Sequence, residues 1–255
     1  MTTLFFSPKS TTKRVAQTIN RDWPDRQDRD LLFSPLREDL TVPAGEPVLV
    51  CLPVYAGRIP TVCRDMLRDH LKGSGGPAIA VVVYGNRAFD DALLELKDLL
   101  TGCGFRVVGA GAFVARHSIY PNVAAGRPDD HDRAVMADFA ARCRERVAGF
   151  DPDHCPDVAV PGNPAYKESE MRRVPMAPDC NSYCMKCYAC FRACPMGAIP
   201  EEAPWTTDPD KCMACGACIF LCPTNARAHR GEAYEASARA FEAKCAQRRE
   251  PEVFF

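Results

Sequence analysis

Long hydrophobic runs are missing from this chain. The longest strand-like one, Ala78 to Tyr84, is far short of the roughly 20 apolar residues that a membrane-spanning helix needs. Met1 leads almost directly into an apolar strand, without a signal-peptide pattern. An excess of either charge is also lacking. The 255 residues carry 32 Lys+Arg and 33 Asp+Glu, a net charge of −1, which argues against nucleic-acid binding driven by bulk charge. No Gly-rich G-x-G-x-x-G fingerprint appears, so direct oxidation of NAD(P)H has no motif behind it. Neither a Ser/His/Asp set nor a pair of acidic side chains stands out, so hydrolytic catalysis has no positive support. A soluble, cytoplasmic protein without a membrane span is expected.

Cysteine is what the chain has in excess. Fifteen are present, a number that would mean disulfides in a short secreted protein. Here eight of them fall in two copies of C-x2-C-x2-C-x3-C-P. The first is Cys184, Cys187, Cys190, Cys194 and Pro195; the second is Cys212, Cys215, Cys218, Cys222 and Pro223. Three thiolates two residues apart can wrap one iron–sulfur cube, and the fourth, before proline, reaches the other cube. Cys184, Cys187, Cys190 and Cys222 are therefore expected on one [4Fe–4S] cluster, and Cys212, Cys215, Cys218 and Cys194 on the second. Zinc takes four thiolates from paired C-x2-C units, which would leave the third cysteine of each triplet and the Cys-Pro pairs unexplained. Such chemistry places the chain in a reducing, low-oxygen setting. Cys180, four residues before Cys184, reads as a spare thiol beside a complete set.

Upstream, apolar segments alternate with helical patterns. Thr3 to Phe6 predicts a strand. A hydroxyl-rich loop from Ser7 to Lys13 follows, then a helix with Val15, Ala16 and Ile19 on one face. Leu31 to Phe33 predicts a short second strand, Pro47 to Val54 a third, Ala78 to Tyr84 a fourth and Arg106 to Phe113 a fifth. Helices carrying Met66 and Leu67, Leu93 and Leu96, and Phe139 and Cys143 fall after the last three. The alternation predicts an α/β fold, a doubly wound five-stranded parallel sheet, with ligands at the carboxyl ends of its strands. Three loops would meet there: Ser7 to Lys13, Pro53 to Arg58 and Gly85 to Phe89. Loop N–H groups and a helix N-terminus suit a phosphate.

Residues 1–150 resemble a flavodoxin. Ser7, Thr11 and Thr12 fall where flavodoxins hold the FMN phosphate, with Lys9 and Ser10 in place of the usual Thr-Gly. Tyr55 and Phe89 fall in the two loops that sandwich the isoalloxazine, beside Gly57, Gly85 and Asn86. With the paired cysteine motif, the whole is similar to the flavodoxin–ferredoxin fusion family. That resemblance implies FMN and a small α+β two-cluster ferredoxin domain at 180–230. Proline content marks 151–179 as a linker. Tyr234, Ala238, Phe241 and Cys245 on one stripe predict a helix from Glu232 to Arg249 in the tail at 231–255. The resemblance implies an electron-transfer protein relaying electrons between FMN, the two clusters and redox protein partners. The rivals are a ferredoxin whose flavodoxin-like half is a flavin-free docking module, a flavin-dependent reductase of a small organic substrate, and clusters that serve only as structural staples.

Overall fold

Val48–Pro53 and Pro77–Tyr84 are buried at every position along their length, as strands at the centre of a sheet covered on both faces must be. The computed structural model describes residues 1–166 and 177–255. In order, the first half forms β1 (Thr2–Phe5), α1 (Thr11–Ile19), β2 (Gln27–Asp30), β3 (Leu40–Val42), β4 (Val48–Pro53), α2 (Thr61–His70), β5 (Leu71–Gly73), β6 (Pro77–Tyr84), α3 (Ala92–Gly102), β7 (Arg106–Val114) and α4 (Asp130–Ala148). The second half forms β8 (Asp179–Cys180), α5 (Ala189–Arg192), α6 (Ala217–Phe220), β9 (Arg227–Ala228), α7 (Glu232–Lys244) and β10 (Glu252–Phe254).

The main sheet runs β2-β1-β4-β6-β7-β10. Its first five strands are parallel, and β10 joins antiparallel, with Glu252 opposite Ala112 and Phe254 opposite Ala110. Two expectations need correction. The sheet has six strands, because the tail returns to cover the β7 edge, which would otherwise leave backbone groups unpaired. The second strand is Gln27–Asp30, not Leu31 to Phe33. As the opposite edge of the sheet it pairs, among the described residues, with β1 alone, so its polar side chains stay in reach of water and no apolar run announces it.

Alternation of side chains across the sheet gives two cores. Leu4, Val50, Leu52, Ala80 and Val82 face α2 and α3 through Leu67, Leu93, Leu96 and Leu100. Phe5, Leu49, Cys51, Ile79 and Val81 face α1 and α4 through Val15, Ile19, Met136 and Phe139. α4 starts on a reciprocal cap: the Asp129 side chain accepts from the Asp132 amide, and the Asp132 side chain accepts from the Asp129 amide. Such a cap is worth about 1 kcal/mol.

The Pro-rich linker lies partly outside the described residues, at 167–176. Its described part lies along α3. Val158 is buried in the core, Asp157 pairs with Lys97 at 2.7 Å, and the Asn163 amide donates to Asp91 Oδ1 at 2.8 Å. The terminal helix ends at Lys244 rather than running on towards Arg249. Among the described residues, no helix is long and apolar enough to cross a membrane.

Candidate metal centre and the strand-edge site

The two cysteine motifs fold alike. Each makes a loop and a four-residue helix, α5 or α6. Left-handed backbone recurs in step: Lys186 (φ 55°) with Ala214 (53°), Tyr188 (62°) with Gly216 (77°), and Gly197 (58°) with Asn225 (53°). Each pair is 28 residues apart, as Cys184 and Cys212 are. A non-glycine residue in this conformation costs roughly 1–2 kcal/mol. It persists where it aims successive N–H groups into one concavity, the arrangement found around anions and iron–sulfur clusters.

The cysteines line two separate cavities. Cys184, Cys187, Cys190 and Cys222 surround one, with Cys180 on its wall. Cys194, Cys212, Cys215 and Cys218 surround the other. The fourth cysteine of each motif thus lies with the other motif's triplet. This donor set fits two four-thiolate cubes. Among the described residues, no three His, Cys, Asp or Glu side chains converge on a single metal ion. Burial pushes Cys215 and Cys218 up to about 12, so both hold their protons at neutral pH until a metal displaces them.

Between the cavities lies Arg227, buried to 1 % exposure. Its guanidinium donates to the carbonyls of Pro178 (2.8 Å), Pro204 (2.6 Å) and Thr206 (3.0 Å), and to the Thr207 hydroxyl. Among the described residues its Nε–H has no well-aligned partner, although the Cys190 sulfur lies within hydrogen-bonding reach of the guanidinium. Burial pulls the Arg227 pKa down, and the sulfurs of Cys218, Cys180 and Cys190 raise it, with a net rise. Sequence reasoning missed this residue; its only signal is a charge between Ala226 and Ala228 in a small lobe.

At the carboxyl ends of the strands, a cavity of about 50 Å³ is lined by Lys9, Thr11, Thr12, Tyr55, Gly85, His117 and Cys215, among others. Three expected loops do meet there. A fourth participant, the second cysteine loop, fills the space above them: Met213, Cys215 and Ala217 belong to the same apolar core as β4 and β6. The Lys9 stem lies against Gly216, where an added Cβ would come within 3.0 Å of Lys9 Cδ, and Lys9 Nζ donates to the Ser118 carbonyl at 2.9 Å. Burial, with Arg116 nearby, lowers the Lys9 pKa. Burial raises that of Tyr55 well above its ordinary value, and Cys215 adds to the rise.

The other residues expected around a flavin are engaged elsewhere. Ser7 Oγ accepts from the Lys13 amide at 2.9 Å, and Ser10 takes the left-handed turn (φ 62°) without a side-chain cap. Gly57 is needed at φ 86° because a Cβ there would collide with Asp90. Phe89 is 7 % exposed, edge-on to Tyr84. Gly85 leaves room for the ring of His117, whose Cδ2 lies 2.4 Å from where a Cβ would be. Asn86 holds the tail: its amide donates to the Cys245 carbonyl (2.8 Å) and the Gln247 carbonyl (2.9 Å), and its Oδ1 accepts from the Arg249 amide (3.0 Å). At 10–15 Å³ per water, the 50 Å³ cavity holds roughly four waters. That cavity is too small to enclose an isoalloxazine.

A doubly wound sheet with a lobe of two four-cysteine cavities docked on its strand ends defines an α/β protein with a paired cysteine-motif lobe. Residues 183–226 match the 4Fe-4S dicluster domain family. No curated protein matches the chain. Among solved structures, the chain is similar to a flavodoxin from Streptococcus pneumoniae TIGR4, at 16% identity and a TM-score of 0.40, over 57% of this chain and 97% of that one. It is also similar to the apo form of an NADH:FMN oxidoreductase, EMOB, at 19% identity and a TM-score of 0.39, over 59% of this chain and 89% of that one.

Proposed function

We propose that this protein is a two-cluster electron carrier whose flavodoxin-like half serves as a docking platform rather than a flavin site. Cys184, Cys187, Cys190 and Cys222 hold a [4Fe–4S] cluster near the surface; Cys212, Cys215, Cys218 and Cys194 hold a second against the strand edge. The observation that carries this reading is the partition of eight cysteines into two cavities of four, each closed by the other motif's last cysteine. Exposed Tyr183 and Met185 beside the first cavity offer an apolar landing for a redox protein partner. The cubes supply one-electron chemistry when present. The chain binds them, excludes water from the inner one and sets the charge around both.

An FMN relay is the finer expectation that this reading replaces. It would require the cysteine loop carrying Cys215 and Gly216 to leave the strand edge and release Lys9. The proposed division of the chain keeps 1–150 and 180–230 as lobes. The tail within 231–255 is assigned to the first lobe, since β10 belongs to its sheet.

An anaerobic count of iron, sulfide and flavin tests the proposal. About eight irons, eight sulfides and no FMN per chain are expected, following from two cubes of four. Cys194→Ser and Cys222→Ser should each spare one cluster, and should spare different ones. One FMN per chain in the purified protein, or zinc in place of iron, overturns the reading.

A further inference from the structure

A buried, permanent positive charge with one donor lacking a well-aligned partner is unusual in a lobe this small. Removing a guanidinium from water is strongly unfavourable unless its surroundings repay it. Four acceptors repay part of that cost for Arg227, all of them backbone carbonyls or a hydroxyl on the 178 and 204–207 segments. None of them carries a charge. The groups that do carry charge once iron is bound are the cysteines on either side. Arg227 reaches both sides: its acceptor Pro204 lines the outer cavity, and its acceptors Pro178 and Thr207 line the inner one. β9 fixes its place, because Arg227 lies opposite Cys180, itself a wall residue of the outer cavity, in the β8·β9 ladder. The Nε–H without a well-aligned partner is buried in the same lobe.

We propose that Arg227 is a positioning residue for electron transfer, shared by both clusters: its Nε–H donates to a sulfur on the Cys190 side of the outer cube, and its charge biases both cubes towards reduction. This rests on the cluster assignment proposed above. Each cube gains one negative charge when it accepts an electron, so a fixed cation nearby stabilises the reduced form and raises the potential. One cation between two cubes also lessens the penalty of having both reduced at once. The protein then holds two electrons at closer potentials than two unscreened cubes would.

The test compares Arg227→Gln and Arg227→Lys with the wild-type protein, prepared anaerobically. Potentials come from redox titration followed by electron paramagnetic resonance, and iron is counted in each sample. At full iron content, Arg227→Gln should lower the reduction equilibrium constant of at least one cluster tenfold or more, which is 59 mV for a one-electron couple. Arg227→Lys keeps the charge and should recover at least half of that shift. A staple with no tuning role would lower iron content and thermal stability and leave the potentials of the loaded fraction unmoved; that result overturns the proposal. Should Arg227→Gln fail to load, pulsed resonance on reduced protein with 15N-labelled arginine decides. An Arg116→Lys, Arg192→Lys background removes two further guanidiniums near ligands: Arg192 bonds the Cys187 carbonyl, and Arg116 lines the strand-edge cavity with Cys215. A 15N coupling to a reduced cluster supports the proposal, and its absence overturns it. Wild-type protein without iron would instead sink the cluster assignment itself.

Discussion

His117 makes the docking of the tail sensitive to acid. Its Nδ1 accepts from the amides of Ile119 (3.1 Å) and Tyr120 (3.0 Å), so the ring must be neutral with its proton on Nε2. The ring stacks on Tyr120 and tilts against Phe241 of α7. Burial, then the charges of Lys9 and Arg87, lower its pKa from 6.5 to about 4. The folded form thus binds the proton less readily than the unfolded one. The associated stability is fully present above pH 6.5 and is lost as pH falls from 6.5 towards 4. Between pH 7.5 and 5 the loss is about 2 kcal/mol at 1.36 kcal/mol per pKa unit, or about thirtyfold in the opening equilibrium. Hydrogen exchange on the anaerobic holoprotein reads this directly, after correction for intrinsic rates and with cluster absorbance as a control. Protection at Ile119 and Tyr120, and in the facing part of α7, should fall about thirtyfold between those pH values. In His117→Asn, whose side-chain oxygen can accept the same amides without titrating, the fall should be less than about threefold. Equal pH dependence in the two proteins would refute the reasoning.

Two further changes probe the strand-edge loops. Asn86→Ala removes three hydrogen bonds to the tail and leaves two carbonyls and an amide unpaired. A loss of about 3 kcal/mol is expected, seen as faster exchange and proteolysis within 245–254 with iron content unchanged. Ser10→Gly relieves a left-handed residue that makes no cap. It should stabilise the first half by about 1 kcal/mol and raise its melting temperature by roughly 2–4 °C. An unchanged or lower midpoint would mean the turn is not strained.

The cysteine spacing alone pointed to the proposed donor set, because a cube demands four thiolates and each short motif offers three at two-residue spacing. The apolar runs Pro47 to Val54 and Ala78 to Tyr84, each too short for a typical buried helix and set between helical patterns, likewise pointed to a parallel sheet covered on both faces. Gln27–Asp30 stayed illegible because an edge strand buries little, and Glu252–Phe254 because its pairing partner lies 140 residues away. Only the tertiary structure decided who occupies the strand edge. Lys9, Tyr55 and Gly85 are spaced for a cofactor in the sequence, yet the space above them is taken by Cys215 and Gly216, brought there by chain folding over a long separation. Local pattern encodes what a segment buries; which surface it is buried against is fixed by the rest of the chain.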